Sequence, residues 1–286
     1  MTQSVEDQHL PATSAPGTGR PAAGEAPGAP FRLPADGPAG VLVLHGFTGV
    51  PFSVRPWGRA LHEAGAEVVG PVLPGHGTRW EDLAGIRWEQ WRDHAAQHVR
   101  ALRARHDVVV VCGLSMGGAL ALHLAAILPV DGVVAVNPAM SLVSRTARLA
   151  PALRRAVPSV PGVADDISLP GVTEHAYPRV PVAGVAELGR FMRRTRAMLP
   201  AVTAPVLVLR SRHDHVVSDA SHAHVLRRAG GDVELVRLAE SFHVATLDRE
   251  ADVVAARSVR FVRDLVAGRN PVTARPLRPA AGGGRR

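Results

Sequence analysis

Residues 107–129 read DVVVVCGLSMGGALALHLAAILP. Asp107–Cys112 is a β-branched apolar run, the pattern of a strand buried on both faces. Met116–Leu128 is a run of small and apolar residues closed by Pro129, which reads as a helix packed on that strand. Between them stands Gly113-Leu114-Ser115-Met116-Gly117. G-x-S-x-G is common on its own, and its position between strand and helix gives it meaning. A serine on so sharp a turn has a strained backbone that lifts its hydroxyl clear of the sheet, while the flanking glycines make room. The helix that follows offers unpaired N–H groups to any negative charge developing there. The spacing predicts a nucleophile at Ser115.

On either side, strands and helices alternate. Ala39–Leu44, Glu67–Val69, Gly132–Val136, Pro205–Leu209 and Val233–Arg237 read as strands. Ser53–Ala64, Trp88–Ala104, Ala220–Ala229 and Ala251–Val266 read as helices. Such alternation demands a mostly parallel sheet covered by helices on both faces, an α/β fold. Regularity stops over residues 141–203, where prolines stand at 151, 158, 161, 170, 178 and 181. A stretch that long is an inserted cap rather than a loop. Residues 1–37 and 268–286 are rich in Pro, Gly and Ala without periodicity and read as disordered arms. One folded body is therefore expected over 38–267, with the cap inserted at about 141–203.

A serine hydroxyl needs a base, and the base an orienting carboxylate. Asp214 follows the strand at Pro205–Leu209, and His243 follows the strand at Val233–Arg237. The order Ser, Asp, His and the positions beyond strand ends fit one sheet edge. Asp219 is better suited to capping the next helix. An oxyanion hole needs two converging backbone N–H groups. Met116 supplies one, and the loop His45-Gly46-Phe47-Thr48-Gly49 the other, with Phe47 as donor.

The remaining histidines are weaker signals. His94 and His98 are four apart on one helix face but lack a third ligand, and their helix is charged, so a solvated face is expected. One of His213 and His215 should line the site rim, and His76 should hold a loop. No metal or organic cofactor is expected, and no phosphate-binding or dinucleotide fingerprint is present.

The chain has 286 residues with a net charge of +8. The surplus lies in two places: residues 141–203 and 268–286 carry +5 each, while 38–140 and 204–267 are balanced. That distribution argues against a nucleic-acid groove across the fold. It leaves open weak association of cap and tail with an anionic membrane surface. No run approaches the apolar length of a membrane span. The polar first residues and the single Cys112 lead us to expect a cytoplasmic protein.

With these residues assembled, the chain resembles the bacterial monoacylglycerol lipases and their carboxylesterase relatives. The resemblance runs from Asp36-Gly37-Pro38 through the HGFTG loop to Arg55-Pro56, and through Leu73–Thr78 with Glu81-Asp82. It continues in Gly113–Gly118, His213–Val217 and His243–Asp248, covering nearly all of residues 36–266. It implies an α/β-hydrolase fold and Ser115, Asp214 and His243 as triad, with the Phe47 and Met116 amides as oxyanion donors. It also implies a small cap that shapes an acyl tunnel and an alcohol pocket. Within the cap, Glu174 matches the glutamate that bonds glycerol hydroxyls. The expected reaction is monoacylglycerol hydrolysis without a cofactor. The alternatives are a general carboxylesterase for short aliphatic or xenobiotic esters and a catalytically silent binding protein of the same fold.

Overall fold

A computed structural model describes residues 26–144, 149–154 and 156–272. Its main sheet has seven strands: β1 (Phe31–Leu33), β2 (Ala39–Leu44), β3 (Glu67–Gly70), β4 (Val108–Leu114), β5 (Gly132–Val136), β8 (Val206–Ser211) and β9 (Val233–Leu238). The order is β1-β3-β2-β4-β5-β8-β9, parallel throughout except for β1, which runs antiparallel to β3. The chain leaves β2 for one side and returns to its other side as β4, so a crevice opens at the carboxyl ends of these two strands.

Alternation along the strands assigns each side chain to one of two cores. Leu42, Leu44, Val109, Val111, Val133, Ala135, Val206 and Val208 face one layer. Val41, Val43, Val110, Cys112, Val134, Val136, Leu207 and Leu209 face the other. The first layer is covered by α2 (Trp88–Arg103), α3 (Met116–Ala125) and α6 (Ala220–Arg228), the second by α1 (Arg55–Glu63) and α7 (Ala251–Val266). Each fully buried Leu or Val stabilises the fold by about 1.5–3 kcal/mol, so a one-residue slip of a central strand is strongly disfavoured.

Three expectations are corrected. The arm assigned to residues 1–37 ends earlier, because β1 closes the sheet edge. Phe31 is buried against Gly58 and Gly70, under the Arg55 guanidinium 4.9 Å from its ring centre. Three strand residues between Pro30 and Pro34 are too few to show a period. Residues 1–25 of that arm lie outside the described residues. The tail also begins ordered: Val272 packs on the α7 side, and Asn270 Nδ2 donates to Asp232 at 3.1 Å. Residues 273–286 lie outside the described residues.

The third correction concerns the cap, whose second half is regular. It holds α4 (Ala150–Leu153), a small antiparallel pair of β6 (Ser159–Pro161) with β7 (Arg179–Pro181), and the long helix α5 (Val182–Met198). Leu188, Phe191 and Met192 on α5 enter the main core. Two polar ties fix the helix: Glu187 accepts from the Trp88 amide at 3.3 Å, and Thr195 meets His123 at 3.1 Å. The helical spacing of 184, 188, 191, 192 and 195 was present in the sequence, obscured by arginines on the outer face. No helix among the described residues is long and apolar enough to cross a membrane.

Candidate active site

Ser115 sits at the end of β4 with φ 56° and ψ −116°, a left-handed conformation that a non-glycine residue adopts at a cost. Its amide donates to the Val136 carbonyl at 2.9 Å, and its own carbonyl accepts from Ala119 as α3 begins. The turn is possible because of its glycines. A Cβ on Gly113 would lie 2.2 Å from the Gly117 backbone, and one on Gly117 would lie 2.2 Å from the Leu44 carbonyl oxygen. Strand, helix and neighbouring β2 approach too closely for any side chain there.

His243 Nε2 lies 2.9 Å from Ser115 Oγ, and His243 Nδ1 lies 2.9 Å from Asp214 Oδ2. A proton on Nδ1 satisfies both contacts, leaving Nε2 free to accept from the serine. The other Asp214 oxygen accepts the amides of Val216 and Val217 at 2.9 and 2.8 Å. Burial alone would raise the Asp214 carboxyl. The His243 hydrogen bond and charge, the Val217 amide and the Arg210 guanidinium outweigh burial and hold it below the usual carboxylate range. Ser115 and His243 are 8% and 6% exposed, so the cap leaves little water around the hydroxyl–imidazole contact. A serine activated by an oriented imidazole in such a setting can attack an acyl carbon.

The loop after β2 is set by His45. Its Nδ1 donates to the Gly46 carbonyl at 2.9 Å, and its Nε2 accepts from the Leu73 amide at 3.1 Å. Burial lowers the His45 pKa to about 4, against the Gly46 hydrogen bond, with a smaller lowering from His94. The neutral ring can therefore accept as well as donate. Gly49 also donates to the Gly46 carbonyl, at 3.3 Å. Pinning that carbonyl fixes the peptide plane and so the direction of the Phe47 N–H on its opposite side. Gly46 borders the serine, since a Cβ there would lie 3.4 Å from Ser115 Cβ. Met116, the first residue of α3, has an N–H without an acceptor inside the helix. The Phe47 ring packs edge-on against His76 and Trp91, and α5 comes down on it where Gly184 leaves space.

The cap reaches the site through carboxylates. Glu174 is buried, with Oε1 accepting from the Asp165 amide at 3.2 Å while Asp165 Oδ1 accepts from the Glu174 amide at 2.7 Å. Burial raises its pKa, opposed by the charge of His243 and the Asp165 amide. Its Oε2 borders Gly49 of the loop after β2. Asp166 joins the loops that carry Asp214 and His243: its Oδ2 accepts the amides of His215 and His243 at 3.1 and 3.2 Å, and its Oδ1 meets the His215 ring at 2.7 Å.

Four residues here were not singled out from the sequence. Asn137 donates to Ser211 Oγ and the His243 carbonyl and accepts from the Ser211 amide, tying the ends of β5 and β8 to the histidine loop. The others are His45, Asp166 and Arg210. A charged residue ending the apolar run of β8, and an Asn after β5, were the available signals. Asp219 occupies the N-cap position of α6, but its carboxylate makes no cap bond and turns to Arg210. His76 is buried, with Nδ1 directed to the Leu73 and Pro74 carbonyls, a loop-holding role. His213 is exposed. His94 and His98 are half-buried with ring centres 5.0 Å apart, and among the described residues no cluster of His, Cys, Asp or Glu could hold a metal.

Residues 37–250 match the family described as serine aminopeptidase, S33. A thermostable monoacylglycerol lipase from Bacillus sp. (strain H-257) is 36% identical over 230 residues, spanning 79% of this chain and 91% of its own. A carboxylesterase from Bacillus subtilis (strain 168) is 28% identical over 80% of this chain and 94% of its own. A solved structure from the metagenome-derived lipolytic enzymes LipS and LipT matches with a TM-score of 0.80 at 34% identity, covering 83% of this chain and 98% of that one.

Proposed function

We propose, for a chain that belongs to the serine aminopeptidase S33 family, that Ser115, His243 and Asp214 hydrolyse carboxylic esters through an acyl-enzyme, with monoacylglycerols as preferred substrates. The chain is an ester hydrolase; the nucleophile and the substrate are the proposed part. The observation that carries the reading is the unbroken hydrogen-bond line from Ser115 Oγ to His243 to Asp214 on a strained elbow.

In this mechanism Ser115 Oγ attacks the ester carbonyl while His243 Nε2 takes its proton. Asp214 keeps the imidazole in the Nδ1–H tautomer and faces the imidazolium that forms. The negative charge on the former carbonyl oxygen is met by the amides of Met116 and Phe47 and by the N-terminus of α3. His243 then returns the proton to the leaving alkoxide as glycerol departs. Water, deprotonated by the same imidazole, attacks the acyl-enzyme and releases the fatty acid.

Two features support glycerol as the alcohol. The first is the similarity to a monoacylglycerol lipase at 36% identity. The second is Glu174, a buried carboxylate beside the oxyanion loop and within the field of His243, suited to accept from a diol. The carboxylesterase relative favours a second reading, in which simple alkyl esters are equally good substrates. A chain-length series of monoacylglycerols set against alkyl esters of the same acids separates the two. A preference for glycerol esters of about eight carbons or more supports the first reading, in a pocket where each buried CH2 contributes about 0.8 kcal/mol. Equal kcat/KM for glycerol and ethyl esters supports the second.

A further inference from the structure

Arg210 stands at the end of β8 with its guanidinium 3% exposed, directly against an Asp214 carboxylate that has no exposure at all. Its Nη1 donates to Asp214 Oδ2, the same oxygen that accepts from His243 Nδ1. The fork is held by three further acceptors: the Val217 carbonyl at 2.8 Å, Asn137 Oδ1 at 3.4 Å and Asp219 Oδ1 at 3.2 Å. Asn137 in turn holds the His243 carbonyl. The arginine therefore touches both the acid and the scaffold of the base, and it does not touch the serine side of the site.

We infer that Arg210 is a positioning residue that neutralises Asp214 within the fold and thereby sets the acid limit of the reaction. A carboxylate buried beside an imidazole favours the proton on that imidazole, and an imidazolium cannot act as the base. A permanent cation on the same oxygen removes much of that pull. Arginine suits the role because it stays charged at every working pH and its planar fork can hold several acceptors at once. The other ionisable groups around the pair are Asp219, His222, Asp166 and Glu174. Asp219 is 83% exposed and screened, and His222 on α6 stands next to it, with Nδ1 4.0 Å from the Asp219 carboxylate. Asp166 spends its carboxylate on two amides and His215, and Glu174 faces His243 from the cap with its pKa raised by burial.

The proposal rests on the Ser115, His243 and Asp214 reading, and its test is separable from that reading. Steady-state hydrolysis of a soluble ester by wild type, Arg210→Gln and Arg210→Lys is followed from pH 4 to 9. Arg210→Gln is expected to move the acid limb of kcat/KM upward by about one pH unit and to lower kcat with KM little changed. Arg210→Lys keeps the charge and is expected to retain the wild-type acid limb, with a reduced kcat because it cannot hold every acceptor. An acid limb left in place by Arg210→Gln, or displaced equally by both variants, overturns the inference. If Arg210→Gln does not fold by circular dichroism, Arg210→Met, which keeps the stem without the charge, is read in its place against Arg210→Lys: an upward shift in Arg210→Met alone supports the inference, and an unmoved limb in it overturns the inference. Failure of the triad reading shows up elsewhere, as wild-type turnover that survives Ser115→Ala.

Discussion

The sheet body and the cap are held together by different means. In the body, strand residues alternate between two apolar cores, and the polar groups at the carboxyl edge rest on that rigid base. In the cap, the stretch 159–181 is tied to the body by a set of polar struts. Asp166 holds the loops that carry Asp214 and His243, Ser168 donates to Asp248 at 2.6 Å, and Tyr177 takes the Thr48 carbonyl through its amide and the Gly75 carbonyl through its hydroxyl. Several of the cap's apolar side chains, among them Val143, Leu149 and Val163, stay exposed. The difference separates two jobs. In the proposed mechanism the body fixes the reacting atoms, and the cap adjusts them and selects what reaches them.

Substitutions in the two regions should differ accordingly. Ser115→Ala, in the body, is expected to cost on the order of 10³-fold or more in kcat while leaving the melting temperature near wild type. Turnover close to wild type in the folded variant would break the division at its centre. Asp166→Ala, in the cap, removes the acceptor for the His215 and His243 amides. It should lower kcat by about 10- to 100-fold, since small displacements of a base are costly, with a smaller change in KM. A tenfold rise in KM at unchanged kcat would show that Asp166 shapes the substrate pocket instead. Glu174→Gln should lower kcat/KM for monoacylglycerols by roughly tenfold and spare ethyl esters, because one acceptor for the diol is weakened. Equal losses on both substrates would assign Glu174 to structure.

The smallest effect on catalysis is expected far from the site, at Glu67 on β3. Its buried carboxylate accepts from Arg32, Arg105 and His106 at 2.7–2.8 Å. Burial opposes ionisation, but the Arg105, His106 and Arg32 hydrogen bonds prevail and take the pKa down to about 2. A carboxyl depressed on folding stabilises the protein fully above its ordinary range near 4.5 and loses that contribution as pH falls toward 2. Glu67→Gln should therefore reduce stability at pH 7 by about 1–3 kcal/mol, less at pH 3, with unchanged kcat. Melting curves at the two pH values check the sign.

The same division decided what the sequence could reveal. The elbow was legible because a serine on such a turn requires Gly113 and Gly117, and Asp214 and His243 follow apolar strands whose ends mark one edge. Phe47 and Met116, proposed as the oxyanion donors, follow from the same logic of strand ends and helix starts. The supporting groups were not. Arg210 reads as the polar end of a strand, and nothing local shows that it folds onto a carboxylate four residues on. Asp166 lies in a proline-rich stretch without period, and its partners are 49 and 77 residues away. Long-range polar pairing leaves no periodicity, whereas apolar burial does.

The most direct test is intact-mass and peptide mapping after brief exposure of the folded protein to a fluorophosphonate. One covalent adduct per chain is expected, on Ser115, formed slowly or not at all in His243→Ala, with hydrolysis lost in proportion to labelling. Labelling at another residue, or full ester turnover by a protein stoichiometrically modified at Ser115, would contradict it.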